Sequence, residues 1–193
     1  MEYLKPNELL KVLGHAQKHG AREHCMFLLG YGHALRASEI ASLTLEDVRN
    51  GRIRCNRGKG SQHTTEELRE NQNPLLDEKM ALAAWLRERG DADGSVFLYT
   101  SRQGSCLKRK QVYNLFRKCA ELASIEPGRV NPHILKHSYA SHLLRTVLIW
   151  HSSRRRLAMH TSAARPATPT LLRRKPRLFP TASWTRSSPP TAS

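Results

Sequence analysis

After Thr146 the chain changes character, and that break limits where a core can form. Of the 47 residues from Val147 onward, 25 are Ser, Thr, Pro or Ala, with no Gly and no acidic residue. Stretches such as SSRRR and LLRRKPR hold no sustained period, so residues 147–193 are expected to form a disordered basic tail. Before the break, apolar residues recur at helical spacing and can build one domain. The charge divides at the same place. Residues 1–146 carry 23 basic and 16 acidic side chains, a difference of +7, while residues 147–193 carry nine basic and none acidic. The net +16 points to a polyanion, either nucleic acid or an acidic membrane surface.

Other features exclude classes. Cys25, Cys55, Cys106 and Cys119 form no CxxC pair, so a reduced cytoplasmic setting is the default. No apolar run approaches the roughly 20 residues that span a bilayer. MEYLKPNELL lacks the layout of a signal peptide.

The periodicity predicts a mainly α fold with a small antiparallel β-sheet, of the α+β class. Pro6 suits a helix first turn, with Leu9, Leu10, Leu13 and Ala16 as its stripe. Cys25–Tyr31, CMFLLGY, reads as a buried helix. Ser38–Leu43 reads as a short helix with Ser38 as cap. RIRCNR, residues 52–57, alternates like a half-buried strand, and Gly58-Lys59-Gly60 then marks a hairpin. The return strand is poorly marked, because HTTEELREN is polar. Asp77–Arg89 should be a helix burying Leu82, Trp85 and Leu86. Leu107–Leu122 should be another, with Val112, Leu115, Phe116, Cys119 and Leu122 as its stripe. Pro132 opens a last helix, HILKHSYASHLLR, with Ile134, Leu135, Ser138 and Leu143 facing inward.

Four features before the break can carry chemistry. Arg36 follows a buried helix, and can either reach a cleft or pair with Glu39 or Glu46. Lys59 sits between two glycines, which let a backbone approach a phosphate closely. His133 and His137 lie four apart on one helix face, a spacing that permits zinc, but no third ligand is evident. His133 with Lys136 reads better as a phosphate-facing pair. Lys108, Arg109 and Lys110 crowd a helix first turn, where cations oppose the dipole and a bound phosphate would reverse that cost. Arg117 and Lys118 follow on the same helix.

In this order the pieces resemble the catalytic domain of the tyrosine recombinases, the phage integrase family. ALRASEIASLTLEDV resembles the first arginine box, Lys59 in RGKG the hairpin lysine, and HILKHSYASHLL the second box. The resemblance covers about residues 4–146, and residues 1–146 are read as a partial catalytic domain. It implies cleavage and rejoining of double-stranded DNA without a cofactor, through a tyrosine linked to a 3′ phosphate. On that footing the catalytic residues are Arg36, Lys59, His133 and Lys136. Arg36 would hold phosphate oxygens, Lys59 would protonate the leaving 5′ oxygen, and His133 would move a proton or touch the phosphate. Lys136 would replace the second arginine, keeping the charge and losing the two-pronged geometry. Arg57, Lys108, Arg109, Lys110 and His137 would contact DNA. Other recombinase protomers are implied partners; a membrane, a metal and a small-molecule substrate are not.

Two departures stand out. Family members carry a helical DNA-clasping domain ahead of the catalytic one, and here the first catalytic helix begins within ten residues of Met1. The nucleophile should follow the second box by about 30 residues, after an LGH box. The five tyrosines are Tyr3, Tyr31, Tyr99, Tyr113 and Tyr139, and none follows the second box. Back-translated with free third bases and read one base earlier, Val147–Thr170 can encode GADLALVKEALGHAHVSSTTRYAH. That string holds an LGH box and a tyrosine at the family's spacing. The expectation is therefore a frameshift near Thr146 and an inactive chain. The alternatives are a non-catalytic DNA-binding remnant that regulates an intact recombinase, and a membrane-surface or RNA-binding protein driven by the tail.

Overall fold

A computed structural model describes residues 2–56, 63–90, 94–101 and 105–160, with side chains as far as Leu148. Six helices and one hairpin follow in order: α1 (Pro6–His19), α2 (Ala21–Gly32), α3 (Ala37–Ala41), β1 (Arg52–Cys55), β2 (Thr64–Glu67), α4 (Glu78–Arg89), α5 (Arg109–Leu122) and α6 (His133–His160). The chain divides into Met1–Ser141 and His142–Ser193. In the second unit the described residues are the remainder of α6.

α2 is the centre of the first unit. Every residue from Glu23 to Gly32 is buried, as a helix that is apolar all round must be. α1 lays Leu9, Val12, Leu13 and Ala16 against it, and α4 packs on it through Ala81, Leu82 and Trp85. α5 contributes Val112, Phe116 and Cys119, with Phe116 edge-on to Phe27 at 5.3 Å between ring centres. The Trp85 indole N–H donates to the Leu98 carbonyl at 3.0 Å and so fixes the extended stretch after α4.

The hairpin is antiparallel, with Arg52 opposite Glu67 and Ile53 opposite Glu66. Ile53 and Cys55 are fully buried while Arg52 and Arg54 face water, the alternation RIRC foretold. The polar return segment is a strand as well. Its pairing is set by β1, and its pattern of half-buried and exposed residues is TTEE read with period two.

Four details differ from the sequence reading. Ser38 is not the cap of α3. Arg36 holds that place, and its backbone N–H is taken by Glu39 Oε2 at 2.8 Å, so the helix starts at Ala37. Leu86 and Leu122 were expected inside but are 38% and 62% exposed, because the stripes of α4 and α5 are narrower than their apolar content. Leu115 is only half-buried. The last helix runs past Arg145 to His160, and residues 161–193 lie outside the described residues.

Ala34 is a non-glycine residue in the left-handed region, at φ 52°. It follows the C-terminal end of α2, where its N–H donates to the Tyr31 carbonyl, a position glycine usually fills. A left-handed L-residue costs roughly 1–2 kcal/mol, part of which glycine loses again to the unfolded chain's freedom. Ala34→Gly is expected to stabilise the fold by about 1 kcal/mol, raising the melting midpoint by a few degrees. An unchanged or lower midpoint would contradict this.

Candidate active site

The two boxes converge on α2. A Cβ built on Gly30 would lie 2.7 Å from Ile40 Cδ1 of α3 and 3.6 Å from Leu135 Cδ1 of α6. Glycine is therefore what gives Ile40 of α3 its room, while Leu135 of α6 lies at ordinary contact distance from the same point of α2. Leu135 is fully buried, and the neighbouring Lys136 and His137 are half-buried. His133 is exposed at the start of α6, with its N–H capped by Asn131 Oδ1 at 3.0 Å.

Arg36 is both paired and available. Its Nη1 meets Glu39 Oε1 at 3.0 Å, while the side chain is 47% exposed. Its other guanidinium nitrogens have no partner among the described residues. The ion pair considered as an alternative to a cleft role thus serves to orient one arm. Glu39 is buried and accepts from the backbone and side chain of Arg36 together.

Several other arginines among the described residues meet acidic partners. Arg22, Arg49, Arg54, Arg69, Arg117 and Arg129 each meet an acidic side chain within 4.0 Å. His133, Lys136, His137, Lys108, Arg109 and Lys110 have no acidic partner among the described residues. Lys108 caps α5 and Arg109 and Lys110 open it, all three exposed, while α5 packs on α3. Arg57 and Lys59 fall in residues 57–62, outside the described residues. The described strands on either side pair as far as Cys55 opposite Thr64. Among the described residues, no His, Cys, Asp or Glu group is set to hold a metal ion.

The base of the hairpin is held by Asp47, which the sequence reading did not single out. Its carboxylate accepts from the Thr44 N–H at 3.0 Å, the Thr44 hydroxyl at 2.7 Å, Arg54 Nε at 3.1 Å and Asn56 Nδ2 at 3.4 Å. Burial raises its pKa, but the Thr44 and Arg54 bonds outweigh that and leave the carboxyl below its ordinary value. The Thr-x-x-Asp spacing in TLED was the available signal. Ser138 is a second brace. Its hydroxyl accepts from the Leu4 N–H at 2.8 Å and donates to the Ile134 carbonyl at 2.7 Å, seating the N-terminal segment on α6. Arg129, just before α6, holds both Glu8 oxygens at 3.0 and 2.8 Å and also donates to the Tyr3 carbonyl.

Two of the thiols are inert by comparison. Burial pushes Cys25 up to about 12 and Cys119 up to about 11. No disulfide joins any of the four cysteines. No described helix is long and apolar enough to cross a membrane.

Helices gathered on α2, with a hairpin between two converging boxes, make the fold of tyrosine recombinase catalytic domains. The crystal structure of XerA recombinase matches with a TM-score of 0.63 at 21% identity, over 76% of this chain and 52% of that one. The lambda integrase catalytic core matches with a TM-score of 0.58 at 16% identity, over 73% of this chain and 82% of that one. The chain belongs to the phage integrase family, which matches residues 2–149. The type 1 fimbriae regulatory protein FimE of Escherichia coli K12 is 37% identical, over 62% of this chain and 59% of its own length. Tyrosine recombinase XerD of Xanthomonas campestris pv. campestris is 33% identical, over 79% of this chain and 51% of its own length. The chain thus spans between half and three fifths of these curated relatives.

Proposed function

We propose that this chain carries the phosphate-binding part of a site-specific DNA recombinase, with Arg36, Lys59, His133 and Lys136 gathered on one backbone phosphate of double-stranded DNA. The observation that supports this most is the convergence of α3 and α6 at Gly30, combined with an Arg36 that keeps a free guanidinium edge beside its Glu39 bond and with His133 and Lys136, which meet no acidic partner among the described residues. Arg36 offers its free guanidinium edge to the non-bridging oxygens, where charge grows as a tyrosine oxygen attacks phosphorus. The bond to the 5′ oxygen breaks and Lys59 supplies its proton, leaving a 3′-phosphotyrosyl link. Lys136 adds a point charge. Arg57, Lys108, Arg109, Lys110 and His137 contact the DNA backbone. No cofactor takes part. Other protomers are partners, and the cytoplasm is the setting.

A second reading has one observation in its favour. No tyrosine follows Tyr139 in this sequence, which supports DNA binding without cutting. Residues 1–146 are then a partial catalytic domain and 147–193 a tail added by the frameshift. Either way the cleft binds phosphate, and salt dependence tests it. Each phosphate neutralised contributes a slope of about −0.9 to log K against log salt. Replacing Arg36 and Lys136 by Ala in the whole chain is expected to make the slope shallower by about two on a 30-bp duplex. The reading fails if that slope is unmoved while replacing the nine tail cations by Gln abolishes binding.

A further inference from the structure

A buried charge cluster sits where the hairpin, α2, α4 and α6 meet. The His33 side chain is fully enclosed. Its Nδ1 lies 3.1 Å from Glu66 Oε2 on β2, and its Nε2 lies 3.1 Å from Glu78 Oε2 on α4. Glu78 also accepts from the Arg69 N–H at 2.8 Å. The Arg69 guanidinium lies 3.9 Å from each carboxylate and donates to the Tyr139 hydroxyl at 3.2 Å. Tyr139 belongs to the second box and packs edge-on against Tyr31 of α2 at 5.9 Å. Gly32 makes the approach feasible, since a Cβ there would overlap Glu78 Oε1.

A neutral imidazole can donate through one nitrogen only. Here both nitrogens face carboxylates, and each needs a proton between. The arrangement is complete when the ring is an imidazolium, which with Arg69 balances Glu66 and Glu78. Three catalytic segments hang on it: His33 stands three residues before Arg36, Glu66 lies on the strand returning from the Lys59 connection, and Arg69 reaches Tyr139 on the helix of His133 and Lys136.

We propose that His33 is a positioning residue whose charged ring clasps the Lys59 hairpin to the turn before Arg36 and, through Glu78, Arg69 and Tyr139, to the second box. What it positions rests on the phosphate-site reading above. Among the described residues, the groups known to face the ring are Glu66 from β2, Glu78 from α4 and Arg69 from the intervening loop, with Tyr31 and Tyr139 beyond them. Burial disfavours the charged ring, but the bonds to Glu66 and Glu78 outweigh it and raise His33 above its ordinary 6.5, with Arg69 opposing. The clasp is therefore fully made below about pH 6.5 and is lost as pH rises through the raised value.

The test uses the whole chain and three readouts. In ¹⁵N spectra, assigned by difference with His33→Gln, both ring nitrogens should carry protons at pH 6; a neutral ring with one proton at that pH overturns the clasp. Hydrogen exchange at residues 52–56 and 63–67 should lose about tenfold protection as pH rises above 6.5, the worth of about one charge-assisted hydrogen bond. Glu66→Gln supplies an amide donor to a neutral ring, so this variant should keep its protection and lose the pH dependence. PH-dependent protection equal in the two proteins would sink the proposal. Binding to a 30-bp duplex separates this from the phosphate-site reading. Affinity should track hairpin protection in the wild type and not in Glu66→Gln. If exchange behaves as expected but no variant binds the duplex, the positioning role falls with the phosphate site and the clasp alone stands.

Discussion

Read one base earlier from codon 147, the gene is expected to yield a protein that joins covalently to DNA, where the present chain yields no adduct. The argument begins with the residues. The shifted frame can give GADLALVKEALGHAHVSSTTRYAH, and in each shifted codon two bases of three are largely fixed by the existing sequence. Chance would have to supply the LGH box and a tyrosine together at the right distance. The family match ends at residue 149, three residues beyond the break at Thr146. The nucleotide sequence of codons 147–170 decides the first half of the prediction: if it cannot encode that string in the neighbouring frame, the idea ends there. The second half is chemical. Adduct formation on a nicked duplex, selected from a random library by the restored chain, should rise at least ~10³-fold over the present chain, since a nucleophile is being supplied. Phe in place of the restored tyrosine should remove it again. A restored, folded and DNA-bound protein that forms no adduct would count against the catalytic assignment.

The two boxes were legible because each is a local string whose chemistry sits within a dozen residues. The hairpin was half legible. Ile53 and Cys55 alternate with arginines, whereas β2 is four polar residues whose place is dictated by pairing with β1. The His33 cluster was not legible at all. Its partners lie 33 and 45 residues away, and nothing in HTTEELREN sets Glu66 apart from Glu67 until β1 fixes which of them faces inward. The misplaced inward leucines have a plain cause. Leu122 is the last residue of α5; spacing alone assigns it to the stripe of Phe116 and Cys119, but the buried stripe is narrower than the apolar content and leaves it exposed. Ala34 shows the opposite limit, since no property of alanine announces a positive φ; only the path from α2 to Arg36 requires it.

Arg36 is where the largest single-residue effect is expected. In the restored chain, Arg36→Ala should slow adduct formation by about 10²–10³, the usual cost of removing one donor aimed at developing charge. The fold should survive. Arg36 is about half exposed, and the buried Glu39 keeps the bond from the backbone N–H of residue 36 at 2.8 Å whatever the side chain is. Loss of rate would therefore report on the phosphate and not on unfolding. Arg36→Lys sharpens the point. It preserves the charge but has one ammonium where the guanidinium has an arm for Glu39 and an edge for the phosphate. A lysine drawn to Glu39 leaves the phosphate poorly held, so about a tenfold loss or more is expected from Arg36→Lys. Glu39→Gln then separates the two arms. It removes the anion that orients Nη1 but leaves the free edge, and should cost less than Arg36→Ala. Single-turnover adduct formation at fixed salt measures all three. An Arg36→Ala rate within about threefold of the parent would place the phosphate elsewhere and return Arg36 to the role of a helix-start ion pair.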